Sequence, residues 1–216
     1  MIVTDAFIFD LDGTLVDSTR AASSAMKAWC ERNLLDFDHV MTVGLGTRTE
    51  DMVALVAPHL NAKNEAEKIE RLERDACESV HPIEGAVNFL HRIPSEKWAI
   101  VTSSSSITAG PKLRACRLTV PSILITGDMV LKGKPDPEAF ITAADRLGVT
   151  PGNCLIFEDA EAGVIAAINA GFNVIVIGYT CHIISPQIVG RIRDFTEIEI
   201  VVGERLSVWL SCRRSH

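Results

Sequence analysis

Five short apolar runs, each closed by polar or turn-forming residues, constrain this chain more than any other feature. Residues 6–11 (Ala-Phe-Ile-Phe-Asp-Leu) run into Gly13, residues 98–101 into Thr102 and four serines, and residues 122–125 into Gly127. Residues 154–157 run into Glu158 and Asp159, and residues 174–177 into Gly178. Each run is continuous rather than alternating, which is the pattern of parallel strands covered on both faces. Helical spacing lies between them, clearest over residues 137–147 and 160–170, where Gly148 and Gly171 close the pattern. Strand and helix in alternation predict an α/β fold with a parallel sheet.

Residues from about 18 to 80 break this rhythm. They hold no convincing strand but show helical stretches at 21–34, 50–56 and the charged 65–80. The reading is an inserted all-helical module, entered just after the first strand and left near Pro82 and Gly85, with two neighbouring connections that can flex as a hinge. Gly110-Pro111 falls where the second crossover helix should run, and interior proline costs ~3 kcal/mol, so Pro111 is expected to open that helix. Residues 198–202 are expected to add an edge strand.

Composition sets the class of partner. With 21 basic against 28 acidic residues the net charge is −7, and no Lys/Arg cluster of the kind that neutralises a nucleic-acid backbone is present. No run reaches the ~18 apolar residues of a membrane span, and the N-terminus carries Asp5 rather than a basic flank, so a cytoplasmic protein is expected. The six cysteines are scattered without zinc spacing and read as free thiols. None of the six histidines is assigned a role.

In a parallel sheet, ligands gather beyond the carboxyl ends of the strands. This sequence puts its chemistry there: Asp10 and Asp12 after the first strand, Thr102 and Ser103 after the second, Lys134 after the third, and Glu158 and Asp159 at the fourth. Several carboxylates in one cleft repel unless a cation neutralises them, and carboxylate oxygens suit a hard ion such as Mg²⁺. The ion in turn calls for an anionic substrate, and phosphate fits, with Lys134, the Thr102 hydroxyl and amides around Ser103 holding its oxygens. Asp10 is then the candidate nucleophile, giving an aspartyl phosphate. Asp12 protonates the departing alkoxide and later deprotonates water.

Residues 10–15 (Asp-Leu-Asp-Gly-Thr-Leu), 101–103 (Val-Thr-Ser), 133–137 (Gly-Lys-Pro-Asp-Pro) and 157–163 (Phe-Glu-Asp-Ala-Glu-Ala-Gly) resemble, in order, the four motifs of the haloacid dehalogenase superfamily. The resemblance implies a Rossmann-like three-layer core at 1–16 and 82–216 with a helical cap at 17–81. It implies Mg²⁺ held by Asp10, the Asp12 backbone carbonyl and Asp159, with Glu158 as an outer or water-mediated partner. Residues 46–49, 84–87 and 96–103 are similar to the branch of sugar-phosphate and polyol-phosphate phosphatases, including glycerol-phosphate and deoxyglucose-phosphate phosphatases. Dehalogenases lack the second motif aspartate, so Asp12 points to a phosphate ester. The expected enzyme is a monomeric Mg²⁺-dependent phosphatase acting on a small phosphorylated sugar or polyol.

Arg48 has two readings of equal weight, a contact from the cap to the substrate's hydroxyls or a charged residue at the start of the helix through Glu50. The stretch 65–78 reads as a solvated helix face. Two alternative functions are weighed. Phosphohexose mutases of the superfamily carry a histidine ten residues after the second motif aspartate, where this chain has Ala22. A non-catalytic phospho-metabolite sensor requires a decayed motif, yet Asp10, Asp12, Thr102, Lys134 and Asp159 are all present.

Overall fold

The computed structural model describes residues 1–210. In chain order the elements are β1 (Ile2–Thr4), β2 (Ala6–Phe9), β3 (Val16–Asp17), α1 (Thr19–Asn33), α2 (Phe37–Gly44), α3 (Thr49–Val56), α4 (Ala62–Asp75), β4 (His81–Pro82) and α5 (Ala86–His91). There follow β5 (Trp98–Val101), α6 (Ser106–Ala115), β6 (Leu124–Ile125), α7 (Glu138–Leu147), β7 (Cys154–Glu158), α8 (Glu161–Asn169), β8 (Asn173–Ile177), β9 (Ile188–Ile192), β10 (Ile198–Val202) and β11 (Leu206–Leu210). Among the described residues no helix is long and apolar enough to cross a membrane.

Six strands form one sheet in the order β6-β5-β2-β7-β8-β9, and every pairing in it is parallel. The alternation of side chains across a strand sends neighbours to opposite faces, and both faces are covered. Phe7, Phe9, Trp98, Ile100, Leu155 and Phe157 point into a cluster shared with Phe89 of α5 and Leu113 of α6. Ile8, Ala99, Val101 and Ile156 point the other way, against Phe140 of α7 and Val164 of α8. Phe9 and Phe157 stack with ring centroids 4.8 Å apart, which locks the two central strands at the level where their polar ends begin. The layers are therefore helix, sheet, helix.

The chain's end departs from this sheet. Residues 198–202 do form an edge strand, β10, but of a separate antiparallel sheet ordered β1-β11-β10. Cys30, Cys77, Cys116, Cys154 and Cys181 are buried free thiols, and Cys212 lies outside the described residues.

Helices α1 to α4 have a hydrophobic cluster of their own, with Trp29, Cys30, Val40, Met52, Val53 and Ile69 at its centre. The Trp29 indole donates to Glu65 Oε2 at 2.9 Å, tying α1 to α4. Both connections to this helical unit run side by side, since Val16–Asp17 pairs antiparallel with His81–Pro82.

Pro111 does not open α6, as the sequence predicts; it lies inside the helix. The helix starts five residues earlier because Ser105 caps it, its carbonyl accepting from the amides of Thr108 and Ala109 at 3.1 and 2.9 Å. Only residues 102–105 separate this start from β5, and burial of Ala109 and Leu113 holds the helix through the proline.

Candidate active site

The carboxyl ends of β2, β5 and β7 lie side by side, and the residues beyond them meet. Asp10 follows β2, its amide donating across to the Phe157 carbonyl of β7 at 2.9 Å. Glu158 ends β7 and Asp159 leads into α8. One carboxylate oxygen from each of Asp10, Glu158 and Asp159 lies within 4.8 Å of the others. Beneath them, Lys134 donates to Asp10 Oδ1 and Glu158 Oε1, both at 2.6 Å, and more distantly to the Val101 carbonyl at 3.4 Å. Its ammonium also lies 5.0 Å from the centroid of the Phe140 ring. The Lys134–Pro135 peptide is cis.

Two glycines make this crowding possible. A Cβ on Gly163 would fall 1.6 Å from Glu158 Oε1, and one on Gly13, whose φ is +87°, would fall 2.1 Å from Asp159 Oδ2. Both are places where only hydrogen leaves room for a carboxylate.

The charge balance is incomplete. Three carboxylates cluster about the single ammonium of Lys134, which pairs with Asp10 and Glu158, and among the described residues the Asp159 carboxylate accepts only from the Thr14 hydroxyl, at 3.4 Å. Burial is the main reason that Asp10 is pushed up to about 7, with Lys134 opposing and Glu158 and Asp12 adding to the rise. Burial likewise raises Asp159 to about 9, with Glu158 and Asp10 adding their repulsion. This donor set of hard, buried oxygens with surplus negative charge fits a divalent cation such as Mg²⁺.

Asp12 is held differently. Its Oδ1 accepts from Lys112 Nζ and Ser18 Oγ, both at 2.6 Å, and its Oδ2 from Ser104 Oγ at 2.7 Å and Thr102 Oγ1 at 3.4 Å. Burial alone would raise this carboxyl, but the Lys112 charge and these hydrogen bonds hold it below its usual value. The Thr102 hydroxyl also accepts from the Ser104 amide at 3.0 Å.

A cavity of about 210 Å³ opens over these groups, lined by Asp10, Asp12, Thr102, Ser103, Glu158 and Asp159. The helical unit supplies its opposite wall, including Ala22, Met26, Met41 and Leu45. Ser103 Oγ bridges to that side, donating to the Gly46 carbonyl at 2.8 Å.

Of the sequence-predicted site residues, six therefore line one cavity and Lys134 lies directly beneath it. Arg48 is not brought to them. It stands at the N-cap of α3, and its guanidinium is committed to both oxygens of Asp51, at 2.6 and 2.7 Å, and to the Val130 and Gly127 carbonyls at 3.0 and 3.4 Å.

Sequence reasoning missed Lys112, Glu73, Ser18 and Ser104. The stretch 65–78 is not a uniformly solvated face, because Glu73 is buried and Glu70 Oε2 accepts from Ser105 Oγ at 2.7 Å. A signal existed: Ala66, Ile69 and Glu73 follow the i, i+3, i+7 spacing of an inward stripe, so an acid at the last position marks a buried partner.

Residues 4–171 match the haloacid dehalogenase-like hydrolase family. Hexitol phosphatase A of Escherichia coli is 33% identical, over 91% of this chain and 89% of that protein. The beta-phosphoglucomutase of Bacillus subtilis is 30% identical, over 92% of this chain and 94% of that one. A solved hydrolase from Pseudomonas syringae superposes with a TM-score of 0.71 at 30% identity, covering 80% of this chain and 83% of the other.

Proposed function

The chain belongs to the haloacid dehalogenase-like hydrolase family and is a phosphoric monoester hydrolase; on that premise we propose that it cleaves the phosphate ester of a small sugar or polyol through an aspartyl phosphate on Asp10. The observation that carries the reading is the placement of Asp10 and Asp12 on one cavity wall, above a carboxylate cluster that a single ammonium cannot neutralise. In the first half-reaction an Asp10 oxygen attacks phosphorus and the ester P–O bond breaks. The departing oxygen takes its proton from Asp12, leaving as the alcohol. In the second, a water oxygen attacks the same phosphorus, its proton passes to Asp12, and inorganic phosphate leaves with Asp10 regenerated.

Thr102, Ser103 and the amides that follow β5 hold phosphoryl oxygens, and Lys134 keeps Asp10 oriented and offsets its charge. Asp10, the Asp12 carbonyl and Asp159 would hold Mg²⁺, with Glu158 behind them. When bound, the ion supplies charge compensation between the anionic nucleophile and the anionic phosphate. Residues 17–81 act as the cap, their apolar wall excluding water over the reacting groups, on the core at 1–16 and 82–216.

The mutase reading is disfavoured because Ala22 lines the cavity, so a methyl group stands at the sequence position where mutases resemble one another in carrying a histidine. The test is phosphate release from hexitol, glycerol, deoxyhexose and hexose 1-phosphates, with Mg²⁺ and with chelator, in wild type and Asp10→Asn. Mg²⁺-dependent release by wild type, with background turnover in the folded variant, is expected. Conversion of hexose 1-phosphate to its 6-phosphate isomer, or hydrolysis by Asp10→Asn at the wild-type rate, overturns the proposal.

A further inference from the structure

Lys112 is a charged group that the scheme above leaves without a task. It sits in α6 immediately after Pro111, 1% exposed, and burying an ammonium costs several kcal/mol unless it is fully paired. All three of its donors are spent: on Asp12 Oδ1 at 2.6 Å, on Glu73 Oε1 at 2.7 Å and on Ser104 Oγ at 2.9 Å. The three partners come from separate parts of the chain, namely the loop after β2, helix α4 of the helical unit, and the loop after β5. One carboxylate would suffice for a merely structural buried lysine. Here there are two, one of them the acid–base group and the other carried by the element packed over it.

We propose that Lys112 is a positioning residue that locks the Asp12 carboxyl for proton transfer and, through Glu73, makes that lock depend on the seating of α4. Lys112 and Ser18 both hold Oδ1 at 2.6 Å, whereas Oδ2 accepts from Ser104 at 2.7 Å and only loosely from Thr102 at 3.4 Å, so the loosely held side of Oδ2 is the one that serves the substrate. The proton on Oδ2 passes to the leaving oxygen as the ester P–O bond breaks and the bond from Asp10 to phosphorus forms. If α4 lifts away, Lys112 loses the Glu73 half of its pairing and its ammonium is no longer fixed between two anions. The acid–base group is thus set in place only beneath a seated helical unit, when the cavity is closed to water. This inference rests on the phosphatase reading above.

A lysine acting through Asp12 matters only where the leaving group needs a proton. The experiment therefore compares kcat/KM, which reports the first phosphoryl transfer, for a polyol phosphate and for p-nitrophenyl phosphate, whose phenolate leaves unaided. In Lys112→Met, kcat/KM on the polyol phosphate is expected to fall by about 100-fold or more, the usual worth of a placed acid, while the aryl phosphate loses less than about tenfold. Lys112→Arg keeps the charge and the reach to both carboxylates and should recover most of the polyol phosphate activity.

Equal losses on both substrates, or no loss on either, overturn the proposal. Should Lys112→Met fail to fold, Glu73→Gln is read the same way: a loss confined to the polyol phosphate supports the link to α4, and uniform or absent loss refutes it. Wild type inert towards every alkyl phosphate would instead sink the phosphatase reading itself, so the two failures are distinguishable.

Discussion

Replacing Gly163 by alanine sets the helix propensity of α8 against the packing of the site beside it. On propensity alone the change stabilises by about 1 kcal/mol, since Gly163 lies inside the helix Glu161–Asn169. The structure reverses the sign. The new Cβ would sit 1.6 Å from Glu158 Oε1 and 2.1 Å from its Cδ, distances that no real contact shows. The carboxylate has no slack to give, being fully buried and held by Lys134 at 2.6 Å and by the Ala160 amide at 2.8 Å. Driving it out strands a buried ammonium with one carboxylate fewer, and breaking such a pair costs about 3–5 kcal/mol. After the propensity gain, a net loss of about 2–4 kcal/mol is expected, or roughly 5–15 °C in Tm for a chain of this size. Urea unfolding followed by circular dichroism measures it. Gly152→Ala serves as the control, because a Cβ there meets nothing within 4 Å, and it should stay within about 0.5 kcal/mol of wild type. A Gly163→Ala protein at least as stable as wild type would refute the claim that the glycine exists to admit Glu158.

The remaining predictions concern the cation and the seam between the two units. Asp10 at about 7 and Asp159 at about 9 hold protons in the folded state that the unfolded chain, at about 3.8, releases, so without a divalent ion stability falls as pH rises from about 4 to 9. Mg²⁺ should therefore raise Tm more at pH 8 than at pH 5.5 in a thermal-shift assay, and an equal gain at both would count against a cation among these carboxylates. Arg48→Ala removes a bridge from α3 to the Gly127 and Val130 carbonyls, so KM should rise alike for sugar and aryl phosphates. A loss confined to the sugar phosphates would instead place Arg48 on the substrate.

What could be read from the sequence follows from where the physics is local. The central strands were legible because a strand buried on both faces must be apolar at every position, as at Phe7, Ile8 and Phe9 or Leu155, Ile156 and Phe157. Their polar ends were legible for the same reason, since a charge that closes such a run falls at the carboxyl end of its strand, where the sheet opens to the site. Strand β9 escaped notice because it lies at the side of the sheet, half exposed, with Gly190 and Arg191 interrupting its apolar pattern. Helix α2 was masked by its composition, since Val40, Thr42, Val43 and Gly44 are all weak helix formers. Residues 122–125 shrink to the two-residue strand β6, whose one neighbour in the sheet is β5.

The pairing of Lys112 with Glu73 was illegible for a different reason, which bears on how the site is built. The stripe of α4 marks Glu73 as buried, but Lys112 looks like an ordinary helix-surface charge until the partner 39 positions away is placed beside it, and local spacing carries no information about that pairing. Pro111 sharpens the point. Interior proline forfeits about 3 kcal/mol of helix stability, and a sequence free of other demands would end the helix there. Yet α6 continues through it, and the next residue is the one that reaches both Asp12 and Glu73. The local rule fails at the position where the helix must keep its direction for one more turn to deliver an ammonium under two carboxylates. Breaks between local preference and observed structure are expected to fall at functional sites, and here the break adjoins the residue assigned to set the acid–base group in place.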